Sequence, residues 1–266
     1  MNIRVIPLIS IMLLGFSGLI LTIFFLTEDE HERQPPNGVY HAVDDPMFEV
    51  QKTLDKAKRN KKLALVILGA HWCHDSTGLA EKFDTHEMQD VLTKGFEVVF
   101  IDVGYFEDRR DITQRFSQAH YFATPTVYIV DPLSEHLLNG DSLQSWGAAD
   151  DVPLEDYVSY FSAFDSSYKV APYDISDTYL KQIKQFEQHQ AQRLMEAYRN
   201  LGPSLQADQE AGPDVPADDA FIQGWREVKW FRLKLQEDIQ NLYKQAENPS
   251  QGQLSMPTYE KFSWES

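Results

Sequence analysis

Seven consecutive apolar residues, Leu63-Ala64-Leu65-Val66-Ile67-Leu68-Gly69, constrain this chain more than any other feature. A run of that length without polar alternation suits a strand covered on both faces, and such strands belong to sheets with helices packed on each side. The segments around it keep that pattern. Asp44-Asp45-Pro46 reads as a helix start, with acids and an early proline at the positive end of the dipole, and Phe48, Val50, Leu54 and Ala57 follow near helical spacing. After the apolar run come Ala70-His71-Trp72-Cys73-His74-Asp75-Ser76 and a helical stretch over about 76–92. A second strand is expected at 96–103, a polar helix at about 107–119, a third strand at 127–130, a short fourth around His136-Leu137-Leu138 and a closing helix at 153–164. Strand and helix alternate, which predicts an α/β domain over residues 45–165 with a largely parallel sheet.

Two further regions flank that domain. From Val5 to Leu26 there are 22 residues without a charge, a helix of about 33 Å, enough for a hydrocarbon core of roughly 30 Å. The run passes from Phe24-Phe25-Leu26-Thr27 directly into acids, with no small-residue cleavage site. Residues 1–27 therefore read as a transmembrane signal anchor, with a cleaved signal peptide as the alternative, and residues 28–44 as a linker built around Pro35-Pro36-Asn37-Gly38. Arg4 ahead of the run and acids behind it favour a cytoplasmic N-terminus, with the remainder outside the cytoplasm. On the other side, residues 166–248 read as a helical hairpin. Its first apolar stripe is Tyr179, Ile183, Phe186, Leu194 and Tyr198, and Gly202-Pro203 is expected to end that helix. Its second stripe is Phe221, Trp225, Val228, Leu235, Ile239 and Leu242. Residues 249–266 read as a flexible tail.

Charge and cysteine usage narrow the function. The chain carries 24 lysines and arginines against 41 acids, and a net charge of −17 disfavours nucleic acid, whose binding rests on cationic neutralisation. Residues 28–165 hold 26 of those acids against 12 cations, so the field is concentrated on the α/β domain. Cys73 is the one cysteine, which excludes an intramolecular disulfide and a cysteine-only zinc site. Its sulfur chemistry must involve another molecule. At the first turn of a helix a thiol meets unpaired N–H groups and the positive dipole end, both of which favour thiolate. Ser76, three residues on, can donate a hydrogen bond to that sulfur. Asp75 opposes the thiolate, and His74 favours it only when protonated. His71, Cys73, His74, Asp75 and His86 are metal-ligand types, but adjacent residues rarely aim at one ion, and neither a metal nor a cofactor is expected.

Trp72-Cys73-x-x-Ser76 after a buried strand, with Thr124-Pro125 just before a later one, resembles the thioredoxin-like superfamily over about residues 45–164. The similarity is to bacterial thioredoxin-family proteins with a W-C-H-D-S sequence, and Ser76 stands where the family carries its second cysteine. The resemblance implies a thioredoxin-like fold, with Cys73 and Ser76 as catalytic positions and Trp72, His74 and Asp75 as their neighbours. It also implies a cis Thr124–Pro125 peptide that binds an extended substrate beside Cys73. The expected activity is monothiol thiol–disulfide oxidoreduction on protein or small-molecule thiols and disulfides, in a membrane-anchored protein of the bacterial periplasm. The alternative is a non-catalytic thioredoxin-fold binding module or structural subunit for envelope client proteins.

Overall fold

The computed structural model describes residues 38–170, 174–247 and 253–265. The expected anchor over 1–27 and most of the linker lie outside the described residues. Among the described residues no helix is long and apolar enough to cross a membrane.

Helix α1 (Pro46–Asn60) starts where its sequence signals put it. The Asp45 carboxylate accepts the Phe48 N–H at 2.9 Å, Pro46 occupies the first turn, and the chain leaves the helix through Lys61 at φ 55°. Strand β1 (Leu63–Gly69) is buried at every position. The stretch expected as one helix over 76–92 is two, α2 (His74–Phe83) and α3 (His86–Gly95). Thr85 causes the break: its hydroxyl donates to the Lys82 carbonyl at 2.7 Å and caps the next helix at the Met88 N–H, while the Gln89 side chain closes the Phe83 carbonyl.

Strand β2 (Phe96–Asp102) runs parallel to β1, and strand β3 (Thr126–Val130) runs antiparallel to it, in the order β2-β1-β3. The largely parallel sheet expected from the alternation is thus a mixed one. Between β2 and β3 the chain carries one short helix, α4 (Arg110–Arg115), with loop on either side of it. β3 enters beside Leu68, at the end where β1 finishes, so the chain does not cross back along the sheet before pairing. The expected fourth strand reduces to one bridge, Leu137 opposite Val130. The fully buried Asn139 replaces it, its amide accepting from the Ile129 N–H and donating to the Val127 carbonyl, both at 2.9 Å.

One sheet face carries Leu63, Leu65 and Ile67 against Phe83, Trp146 and Phe161, the last from helix α5 (Leu154–Ser162). The opposite face carries Ala64, Val66 and Leu68, and its apolar cluster continues through α1 into helices α6 (Asp177–Ala211) and α7 (Asp219–Glu247). The expected hairpin therefore shares the core of the α/β domain, and all the described residues fall in one compact unit. Two corrections follow. Helix α6 does not stop at Gly202-Pro203 but runs through both. Arg199 and Pro203 are exposed, so the carbonyl that loses its partner to proline can be hydrated. Gly202 instead permits close approach, since a Cβ there would stand 2.4 Å from the Tyr105 carbonyl oxygen. The described part of the expected flexible tail is packed as well. Phe262 and Trp264 stack at 4.4 Å, and Arg193 holds Glu265 at 2.8 Å while its guanidinium faces the Phe262 and Phe231 rings.

Candidate active site around Cys73

The C-terminal end of β1, the start of α2 and the turn before β3 meet at one end of the sheet, and Cys73 stands where they join. It precedes α2 in extended conformation (φ −93°, ψ 115°), its N–H bonded to the Ala70 carbonyl at 3.1 Å and its carbonyl accepting the Thr77 N–H at 3.0 Å. The side chain is half-buried. The thiol donates to the Thr124 carbonyl at 3.1 Å, and the Thr124 hydroxyl donates to the sulfur at 3.3 Å. The Thr124–Pro125 peptide is cis, and both residues are buried. Fifty-one positions apart in sequence, Cys73 and Thr124 are thus in direct contact.

Ser76 is fully buried, but its hydroxyl does not bond the sulfur in this structure. It accepts the Ala70 N–H at 3.2 Å, supplying a partner to backbone that has just left β1. Trp72 forms part of the rim: its Nε1 donates to the Gly104 carbonyl at 2.8 Å, and its ring meets Phe106 at 5.0 Å and Trp225 at 6.1 Å, both edge-on. Phe106 has φ 66°, an uncommon conformation for a bulky side chain, and stacks on Tyr198 at 4.3 Å with planes 6° apart. The aromatic side of the site is therefore completed by α6 and α7.

The other side is acidic. His74 is exposed, with Nε2 2.8 Å from Asp150 and Nδ1 3.9 Å from Asp75. The Asp75 carboxylate accepts the Asp150 N–H at 3.2 Å. Burial pushes the Asp75 carboxyl above its ordinary range, against the lowering effects of that bond and of His74. Lys82 donates to the carbonyls of Ala149 and Asp150, tying this loop to α2. His71 points elsewhere, edge-on to Tyr105 at 5.7 Å, and His86 begins α3. Among the described residues no three His, Cys, Asp or Glu side chains are grouped to hold a metal.

Sequence reasoning missed Asp150, Phe106 and the Trp225 contact, all brought to the site by tertiary structure. It also missed Tyr40, assigned to the linker. Tyr40 is 6% exposed and its ring lies over Gly69, where a Cβ would come within 2.6 Å of the phenol oxygen. The dipeptide Val39-Tyr40, apolar within a polar stretch, was the available signal.

A thiol at the start of a helix thus faces a cis-proline turn beside a buried strand, and residues 45–132 match the thioredoxin-like family model. The chain thus carries a thioredoxin-like α/β domain followed by a helical region. Among solved structures, the crystal structure of disulphide isomerase from Xylella fastidiosa Temecula1 is similar, at 25% identity over 48% of this chain and 97% of that one, with a TM-score of 0.44. No curated protein matches the chain.

Proposed function

We propose that this protein is a monothiol thiol–disulfide oxidoreductase, anchored in the bacterial cytoplasmic membrane by residues 5–26 with its folded part in the periplasm. The observation that carries the reading is the half-buried Cys73 thiol at the start of α2, in contact with Thr124, in a chain with no second cysteine. The Cys73 thiolate attacks one sulfur of a substrate disulfide, R–S–S–R′, forming Cys73–S–S–R and releasing R′–S⁻. An external thiolate then attacks the adduct, restores the Cys73 thiolate and leaves with R. The net reaction is exchange of one thiol partner for another and consumes no oxidant. Thr124 and Pro125 receive the substrate backbone beside the sulfur, and Trp72 borders the opening.

The test is turnover of a glutathionylated peptide by the full chain in the presence of glutathione. The native protein should accelerate release of the peptide thiol, with glutathione disulfide as the second product, and Cys73→Ser should abolish the acceleration. Equal rates for the two proteins would overturn the proposal. Peptide binding without turnover would replace it with a non-catalytic binding module.

A further inference from the structure

The buried phenol of Tyr40 lies beneath the site without a use in the chemistry above. Its oxygen is inaccessible to solvent and has no hydrogen-bond partner of acceptable geometry. An unpaired hydroxyl in a core costs about 1–3 kcal/mol, and aromatic packing alone could be met by phenylalanine. The ring is held by an edge-on contact with Phe100 at 5.4 Å and by the space Gly69 leaves open. The hydroxyl lies beside that of Ser76, and the titratable groups it senses are Cys73, Tyr157 and Asp102. Burial above all, together with the Cys73 charge, pushes the phenol well above its ordinary range, so Tyr40 stays a neutral donor.

Ser76 has complementary capacity. Its oxygen accepts one bond, from the Ala70 N–H, and has room for a second. With Cys73 as a thiol, the sulfur's proton is directed to Thr124. Ionisation removes that proton and leaves the sulfur as an acceptor only.

We propose that Tyr40 is a positioning residue for Cys73: its hydroxyl donates to Ser76, which in turn directs its own proton to the Cys73 thiolate. In that state Ser76 accepts from Ala70 and Tyr40 and donates to sulfur, and the Tyr40 hydroxyl is no longer orphaned. The relay rests on the nucleophilic role proposed for Cys73 and accounts for a serine at the second position of the motif.

The experiment compares iodoacetamide alkylation of the folded full chain across pH for the native protein, Tyr40→Phe, Ser76→Ala and the double variant. Tyr40→Phe should slow alkylation near neutral pH about fivefold, the factor for loss of one hydrogen bond, and the rates should converge in alkali, where every thiol is ionised. The double variant should be no slower than Ser76→Ala, because Tyr40 acts through Ser76. Tyr40→Phe should melt no lower than the native thiol form, since the hydroxyl it removes is unpaired there. A Tyr40→Phe profile superimposed on the native one, or slowing that multiplies with that of Ser76→Ala, would overturn the relay and leave the nucleophile reading standing. Failure of the native protein to be alkylated while folded would remove both.

Discussion

Replacing Gly202 by alanine tests whether the long helices are seated on the α/β domain as described. The new Cβ would stand 2.4 Å from the Tyr105 carbonyl oxygen, whereas carbon–oxygen contacts close at about 3.3 Å. The obstacle is backbone and cannot rotate aside, so α6 must retreat by about 0.9 Å. That retreat opens the Phe106–Tyr198 stack, one turn away, from its 4.3 Å separation. Overpacking of this kind costs about 3 kcal/mol at its upper end, and alanine returns about 1 kcal/mol of helix propensity. The net loss is about 2 kcal/mol, or about 4–8 °C in Tm for a unit of this size. Gly224→Ala on α7 is the control, because the nearest atom to its Cβ is a Leu201 side-chain methyl at 3.4 Å, an ordinary contact distance. It should stabilise by up to about 1 kcal/mol. Urea denaturation of both variants decides the matter: Gly202→Ala matching or exceeding Gly224→Ala in stability would mean that α6 does not press on Tyr105.

Other perturbations probe different contacts. His120 is 1% exposed, with Nδ1 bonded to the Tyr121 carbonyl and Nε2 unpartnered; burial pushes its pKa down to about 4, against Asp108 and the Tyr121 bond and with Arg110. The unfolded chain then binds the extra proton between about pH 4 and 6.5, so stability should fall by about 2 kcal/mol from pH 7 to pH 5. His120→Phe should flatten that slope in urea titrations, and an unchanged slope would assign it to other groups. Trp225→Ala should cost about 2–3 kcal/mol, since the half-buried ring meets Trp72, Phe106 and Phe221. Cys73 alkylation should change little, because Trp72 keeps its Gly104 bond; a tenfold change would mean that Trp225 helps to set the reactivity of the thiol. Ser76→Cys should form a reversible disulfide with Cys73 under mild oxidant, read as loss of both free thiols, and persistent thiols would show that the two side chains cannot meet.

Elements set by local chemistry were legible in the sequence. Leu63–Gly69 reads as a covered strand and Asp45-Pro46 as a helix start, both as found, and any disulfide of Cys73 requires an outside partner because the chain has no other cysteine. Each of these follows from a few neighbouring residues. The direction of β3 did not, because it depends on which end of β1 the connection over residues 103–125 delivers the chain to, and nothing in β3's own residues encodes that. That reversal brings Thr124 to the Cys73 sulfur. Gly202-Pro203 reads locally as a helix stop, yet the helix continues because its apolar stripe is buried on both sides of the pair and Gly202 fits against Tyr105. Tyr40 reads as linker until Gly69 and Phe100 are seen to enclose its ring. The sequence by itself determined where β1 and α1 lie and that Cys73 is the one thiol, because propensity, capping and cysteine count are local or compositional properties. The surroundings of that thiol were decided only by tertiary structure: Thr124 against the sulfur, Tyr40 over Gly69, Asp150 beside His74 and Trp225 against Trp72. Those contacts join residues far apart in the chain, and packing alone specifies them.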